Sequence, residues 1–413
     1  MCITRLFIGL IIGLMVITGL HNPSEHADQL KITVLTHTPT DDLDPAWSPD
    51  GEQIAFVGHH EGNPEVYVLE LSSGDLTNLS NSPLDDYDPL WSPDGHYLAF
   101  WRRDKQSLNR MVVRDMMTGT EVESSDLLIY PDDYSRREWS SDSHYLAFKA
   151  YLDNNWCVLR YGVQSASYQP LTCDLSFSSD KDLSPDAHWL VIYHSYTGFE
   201  LIDLEAGNRQ FFELTSRAFW APDSQALAYI GSGGLSVNIH NMVSDQISSI
   251  DSTPQNYLRL IGWSSTGQLA WFSSSETSIR FYVMEPATQA VQMVADFDSS
   301  PARILWSPAG RFIGFNVYES VYVLDTVTGT LYNPIDERGI INDLQWSSDG
   351  QYLSAFFKEG EIALIHVGTW TVSTIEDYNN VVNPNFDWSP EGSRLVFSCG
   401  EFPLTNLCLV EMP

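Results

Sequence analysis

Bases are what this sequence is short of. Lys and Arg number 21 against 54 Asp and Glu, giving a formal net charge of -33 over 413 residues, although only 18% of residues are charged. A surface so poor in cations repels nucleic-acid phosphates and anionic membranes, and it suits cations or basic partners. Catalytic signatures are missing too. There is no G-x-S-x-G elbow, no H-E-x-x-H and no glycine-rich loop opening onto a helix. Gly231-Ser232-Gly233-Gly234 reads as a turn between strands. The eleven histidines do not cluster at metal-ligand spacing. His96, His144 and His188 each follow the same turn in successive repeats, which sets them too far apart to share one ion. The chain therefore reads as non-enzymatic, with no cofactor and no metal.

Long apolar runs are confined to the start. Arg5 precedes Leu6–Leu20, which is broken only by glycines and Thr18. A base followed by ~15 apolar residues reads as a secretory signal, whereas a full membrane span needs ~20. Ile17-Thr18-Gly19 is a poor cleavage site, so residues 1–21 read as a signal peptide or an uncleaved membrane anchor, with 22–30 a linker. Cys2 lies ahead of the apolar run, unlike a lipoprotein cysteine.

What is abundant is a repeat. WSPDG stands at Trp47–Gly51 and Trp91–Gly95, and degenerate copies begin at Trp139, Leu183, Trp220, Trp263, Trp306, Trp346 and Trp388. The spacings are 44, 48, 44, 37, 43, 43, 40 and 42, and eight of the thirteen tryptophans hold this one position. Pro presets the backbone of a type I turn, Asp suits the next place and Gly admits the left-handed residue that follows. After each turn comes an apolar strand, such as YLAFW from Tyr97 or RLVFS from Arg394. A third strand and a weaker fourth complete most units, for example EVYVLEL from Glu65 and DLTNLSN from Asp75. Four antiparallel strands in ~40–45 residues with one recurrent Trp make a propeller blade, and the Trp is placed to pack between blades. The expected fold is all-β: a single propeller of nine four-stranded blades over residues 31–413, with an eight-bladed ring as the alternative because the Leu183 repeat lacks Trp.

The last repeat, 383–413, has only three strands, and residues 31–38 (KITVLTHT) supply a spare. LTHTPTDDLDPAWSPDG from Leu35 matches LSNSPLDDYDPLWSPDG from Leu79, which puts 31–38 in an outer-strand position. This strand is expected to pair with the last blade and close the ring, leaving no large exposed sheet edge.

The DPAWSPDG of Asp44–Gly51 and the DPLWSPDG of Asp88–Gly95 resemble the TolB-like, WD-repeat-like propellers of bacterial envelope proteins, and the resemblance spans residues 31–413. It implies protein or glycan binding in the cell envelope. TolB itself carries an additional α/β domain before its propeller, for which this chain has no room.

Candidate site residues stand three places before each anchor: Asp44, Asp88, Arg136, Asp180, Arg217, Leu260, Arg303, Asp343 and Asn385. This position opens the innermost strand, so the side chains ring the mouth of the central channel. From Asp88 to Arg217 the signs alternate, which points to ion pairs between neighbouring blades, each worth ~0–1 kcal/mol at a surface. Acidic doublets lie just outside: Asp41-Asp42, Asp85-Asp86, Asp132-Asp133, Asp336-Glu337 and Glu376-Asp377. They form an acidic face for a basic partner or a divalent cation, or a solvated rim. Cys157 and Cys173 fall on adjacent strands of the third repeat, and Cys399 and Cys408 on adjacent strands of the ninth, so two local disulfides or four free thiols are both open. The leading function is a non-catalytic extracytoplasmic binding scaffold, in the periplasm or at the cell surface. The alternatives are a propeller hydrolase or lyase acting on polysaccharide with mouth carboxylates, and a membrane-anchored sensor ectodomain.

Overall fold

The Ser-Pro-Asp-Gly turn is held by its serine. In the computed structural model, Ser48 Oγ donates to Asp50 Oδ1 at 2.6 Å and accepts the Gln53 amide at 2.9 Å. Asp50 also takes the Glu52 amide, and the Ser48 hydroxyl and that amide hold its carboxyl below the ordinary carboxylate value. The same serine–aspartate clasp recurs at Ser92, Ser140, Ser184 and Ser347. Gly51, Gly95 and Gly350 close their turns at φ of 73, 73 and 72°. Degenerate copies put Ser143, Ala187 and Ser224 into this left-handed place, at φ of 62, 56 and 59°. Two of these substitutes have a use: Ser143 Oγ accepts the Asp94 amide of the preceding blade, and Ser224 Oγ the Asp186 amide, each at 3.0 Å.

Apart from Thr4–Arg5, the structure describes residues 30–413, except 107, 125–136, 153–154, 176–179, 195–196, 214–216, 252–256, 276–277, 286–287, 359, 376–385 and 401–403. Of the expected signal or anchor only Thr4–Arg5 are described, as a short strand parallel to Ser248–Ser249 at the edge of blade five, and nearly all of the linker lies outside the described residues. Every regular element among the described residues is a strand, and none is a helix long and apolar enough to cross a membrane. Apart from Thr4–Arg5, the strands form nine four-stranded antiparallel sheets, which follow the chain in order except that Ile32–Val34 joins the last, a nine-bladed propeller. Blade one consists of Asp42–Trp47, Gln53–Gly58, Glu65–Glu70 and Leu76–Asn78, from the channel outwards. The second and third strands are apolar on both faces because each blade is covered by a neighbour on either side. Ile54, Ala55 and Phe56 are all wholly buried.

The ring closes as the repeat arithmetic requires. Phe386–Trp388, Arg394–Cys399 and Asn406–Glu411 take Ile32–Val34 as their fourth strand, with Ile32 opposite Val410 and Val34 opposite Cys408. Leu35 N donates to Leu407 O at 2.8 Å, and Leu407 N to Thr36 Oγ1 at 2.9 Å. Leu30 and Ile32 pack into the core shared by blades eight and nine.

Between blades the anchor tryptophans do more than fill space. Trp91 Nε1 donates to Ala46 O, Trp263 to Phe219 O, Trp306 to Gly262 O, Trp346 to Leu305 O and Trp47 to Asp387 O, at 3.0–3.3 Å. Each bond runs from an anchor to the carbonyl just before the previous anchor. Trp388 reaches the same position indirectly, through Ser354 Oγ, which donates to Gln345 O. Disulfides join Cys157 to Cys173 and Cys399 to Cys408, each tying neighbouring strands of one blade.

Candidate functional site at the channel mouth

In the first two blades the Asp-Pro dipeptide does not open the innermost strand, as its position suggested, but lies within it, in Asp42–Trp47 and Asp85–Trp91. Leu43 pairs with Val57 and Ala46 with Ala55, so Asp44 and Pro45 share one opposing residue in a bulge. Asp88 and Pro89 do the same between Tyr87 and Leu90. Both aspartates take left-handed backbones, at φ of 53 and 58°. Aspartate tolerates that region better than most residues, and proline has no amide to leave unpaired.

The bulges place Asp44, Pro45, Asp88 and Pro89 in a cavity of about 310 Å³ completed by Asp343, Gln345 and Phe386. Three of the aspartates picked out by position, from blades one, two and eight, thus meet in one place. Burial, then the charge of Asp88, push the Asp44 carboxyl up to about 6, with His59 opposing. Asp88 lies 2.7 Å from Arg137 and Asp343 2.7 Å from Arg303. On the far side of the ring Arg217 bridges Asp180 at 3.1 Å and Asp182 at 3.0 Å. Leu260 turns into the core, as an apolar side chain at this position must. Arg136 and Asn385 lie outside the described residues.

Three features were not visible in the spacing. Among the described residues the cation that meets Asp88 is Arg137, one place beyond the position the alternation selects. It packs against the ring of Trp101 and donates to the carbonyls of Ala99 and Asp88. Second, the residue just before an anchor can carry a carboxylate that receives the next anchor's amide. Asp387 accepts Trp47 N at 2.9 Å, and Glu138 accepts Leu183 N at 3.0 Å together with the buried Lys181. Burial holds the Asp387 carboxyl up at about 6 against its bonds from the Trp47 and Trp388 amides.

Third, the acidic doublets are not a uniform solvated rim. Asp42 and Asp86 are fully buried. Asp42 contacts His60 at 2.6 Å, and Arg102 grips Asp86 with two bonds of 2.8 and 3.1 Å. Asp41 accepts both the amide and the hydroxyl of Thr405 across the closure. Alternation accounts for the second doublet, where Asp86 turns inward and Asp85 stays half-exposed on the same strand, whereas Asp41 and Asp42 are both buried at the closure. Asp336 and Glu337 are exposed, and Asp132-Asp133 and Glu376-Asp377 lie outside the described residues.

Residues 26–131 match the family model described as TolB beta propeller domain, and the chain carries TolB-like propeller repeats. No curated protein matches it by sequence. Among solved structures it is similar to an oligogalacturonate lyase in complex with manganese, at 13% identity and a TM-score of 0.52, covering 95% of this chain and 97% of that one. An oligogalacturonate lyase from Vibrio parahaemolyticus gives 14%, 0.51 and 96% of each chain. A eukaryotic initiation factor gives 14% and 0.57, over 82% of this chain and 88% of the other. At these identities the likeness is one of fold. It nevertheless corrects the expectation that the chain is not an enzyme, since two of these propellers of similar extent are lyases. Missing sequence motifs are weak grounds here, because a propeller can assemble a site from single residues on several blades.

Proposed function

We propose that this TolB-like propeller works outside the cytoplasm and captures a basic segment of a partner protein at its channel mouth. One observation carries the reading: Asp44, Asp88 and Asp343 converge on a single cavity, and burial together with the charge of Asp88 holds Asp44 at about 6. An arginine or lysine entering between Asp44 and Asp88 relieves that repulsion and gains charge-assisted hydrogen bonds. The net charge of -33 steers such a partner inward. The two disulfides support an oxidising compartment.

Calorimetric titration with an arginine-rich peptide tests this. Binding requires ionised Asp44, so affinity rises from pH 5 to pH 7. Asp44→Asn loses about ten- to a hundredfold, a charged hydrogen bond being worth ~1.5–3 kcal/mol, and also flattens the pH dependence. Equal binding by wild type and Asp44→Asn across that range refutes the proposal.

A second reading draws on the same elevated carboxyl. Asp44, its carboxyl raised to about 6 in one cavity with Asp88 and Asp343, offers the raised acid that acid–base pairs use on polysaccharides. Release of new chain ends from a polysaccharide panel by wild type, and none by Asp44→Asn, selects this reading over peptide capture.

A further inference from the structure

A second cavity lies far from the channel, on the turn side of the seam between blades seven and eight. It measures about 450 Å³. Its apolar wall is Phe312, Tyr332 and Trp370, and its polar wall is Arg311, Asp325 and Gln351. The aromatic wall depends on a residue out of keeping with its position. In blades one, two, four and seven the turn between the third and fourth strands uses glycine, at Gly74, Gly119, Gly207 and Gly329, with φ between 71 and 75°. Each donates its amide four residues back, as Gly329 does to Asp325 O. In blade eight Trp370 makes the same bond, to His366 O at 2.7 Å, with φ of 60°. A bulky side chain is a rare occupant of that backbone, and such strain concentrates where a side chain has a task. Trp370 uses the position to lean across the seam onto blade seven. It stacks on Tyr332 at 3.8 Å between ring centroids and meets Phe312 edge-on at 6.0 Å.

We propose that this cavity is a binding site for a neutral sugar residue, such as one unit of a glycan chain. Its charges cancel internally: Arg311 is bonded to Asp325 at 2.7 Å, and Asp325 also accepts the Val327 and Thr328 amides. An ionic ligand would have to break that pair, whereas a neutral polyol can share its outer atoms and the exposed Gln351 amide. A pyranose presents an apolar C–H face and a polar rim, which matches one aromatic wall opposed by hydrogen-bonding groups. The site is separate from the channel mouth and independent of what binds there.

The test is saturation-transfer NMR and calorimetry on the full chain with maltotetraose, cellotetraose, mannotetraose and chitotetraose. One of these is expected to bind saturably with a single site per chain. Trp370→Gly is expected to abolish binding; because Trp370 is buried in the core between blades seven and eight, its fold is checked by circular dichroism, and Gln351→Ala carries the test if that fold is lost. Gln351→Ala, at an exposed position that leaves the core intact, is expected to weaken binding about tenfold, one hydrogen bond's worth. Asp44→Asn is expected to bind like wild type. The inference is overturned if none of the four sugars binds saturably, if Trp370→Gly and Gln351→Ala bind as wild type does, or if Asp44→Asn abolishes binding, which would move the sugar to the mouth.

Discussion

Asp41→Ala addresses the seal of the ring directly. Asp41 is 7% exposed and Thr405 1% exposed. One carboxylate oxygen of Asp41 accepts the Thr405 amide at 3.1 Å and its hydroxyl at 2.9 Å, 364 residues away along the chain. Removing the carboxylate leaves two buried donors without that acceptor, at about 1–3 kcal/mol each. Release of a desolvated carboxylate offsets part of this, so the expected loss is about 2–4 kcal/mol. With an unfolding entropy of about 2.1 cal/mol/K per residue, a chain of 413 residues gives ~0.9 kcal/mol/K. The melting temperature should therefore fall by only ~2–5 °C, and urea denaturation is the sharper assay. Native-state hydrogen exchange should show the loss locally, in Asn406–Glu411 before the middle blades. Asp41→Asn keeps an acceptor oxygen in place and should lose less than half as much. If Asp41→Ala changes stability by less than 0.5 kcal/mol, roughly the usual range for an uninvolved surface position, or matches Asp41→Asn, the closure does not rest on this contact.

Three further outcomes are expected. Deleting residues 31–38 removes the fourth strand of blade nine and should abolish the single cooperative unfolding transition; an unchanged calorimetric melt would refute closure by that strand. Trp306→Phe gives up the bond to Gly262 O, whereas Trp139 Nε1 is buried with no hydrogen-bond partner among the described residues. Trp306→Phe should therefore cost about 1–2 kcal/mol more than Trp139→Phe in parallel urea titrations, and equal costs would show that the indole bond contributes nothing. Asp387 has its carboxyl raised to about 6 in the fold, above its unfolded value near 4, so its protonated form favours the native state. Stability should drop as pH rises from about 4 to 6, and Asp387→Asn should lose that slope and gain about 2 kcal/mol on wild type at pH 7; identical pH profiles would contradict the assignment.

Nine units, their strand order and the opening strand as the missing fourth strand were all legible in the chain, because each follows from local rules. A Ser-Pro-Asp-Gly turn forms from four neighbouring residues, and a strand's apolar faces from a short run. The counting position before each anchor also led to Asp44, Asp88 and Asp343. Sequence could not say that these three share a cavity, since they come from blades one, two and eight and meet only because the ring closes. Nor could it choose Arg137 as the partner of Asp88, turn Asp42 and Asp86 inward, or lay Trp370 over Tyr332. Partners across a seam lie some forty residues apart along the chain. Which of them touch depends on bulges that rotate one side chain relative to the next and on how closely two sheets approach, and those quantities exist only once the blades are packed.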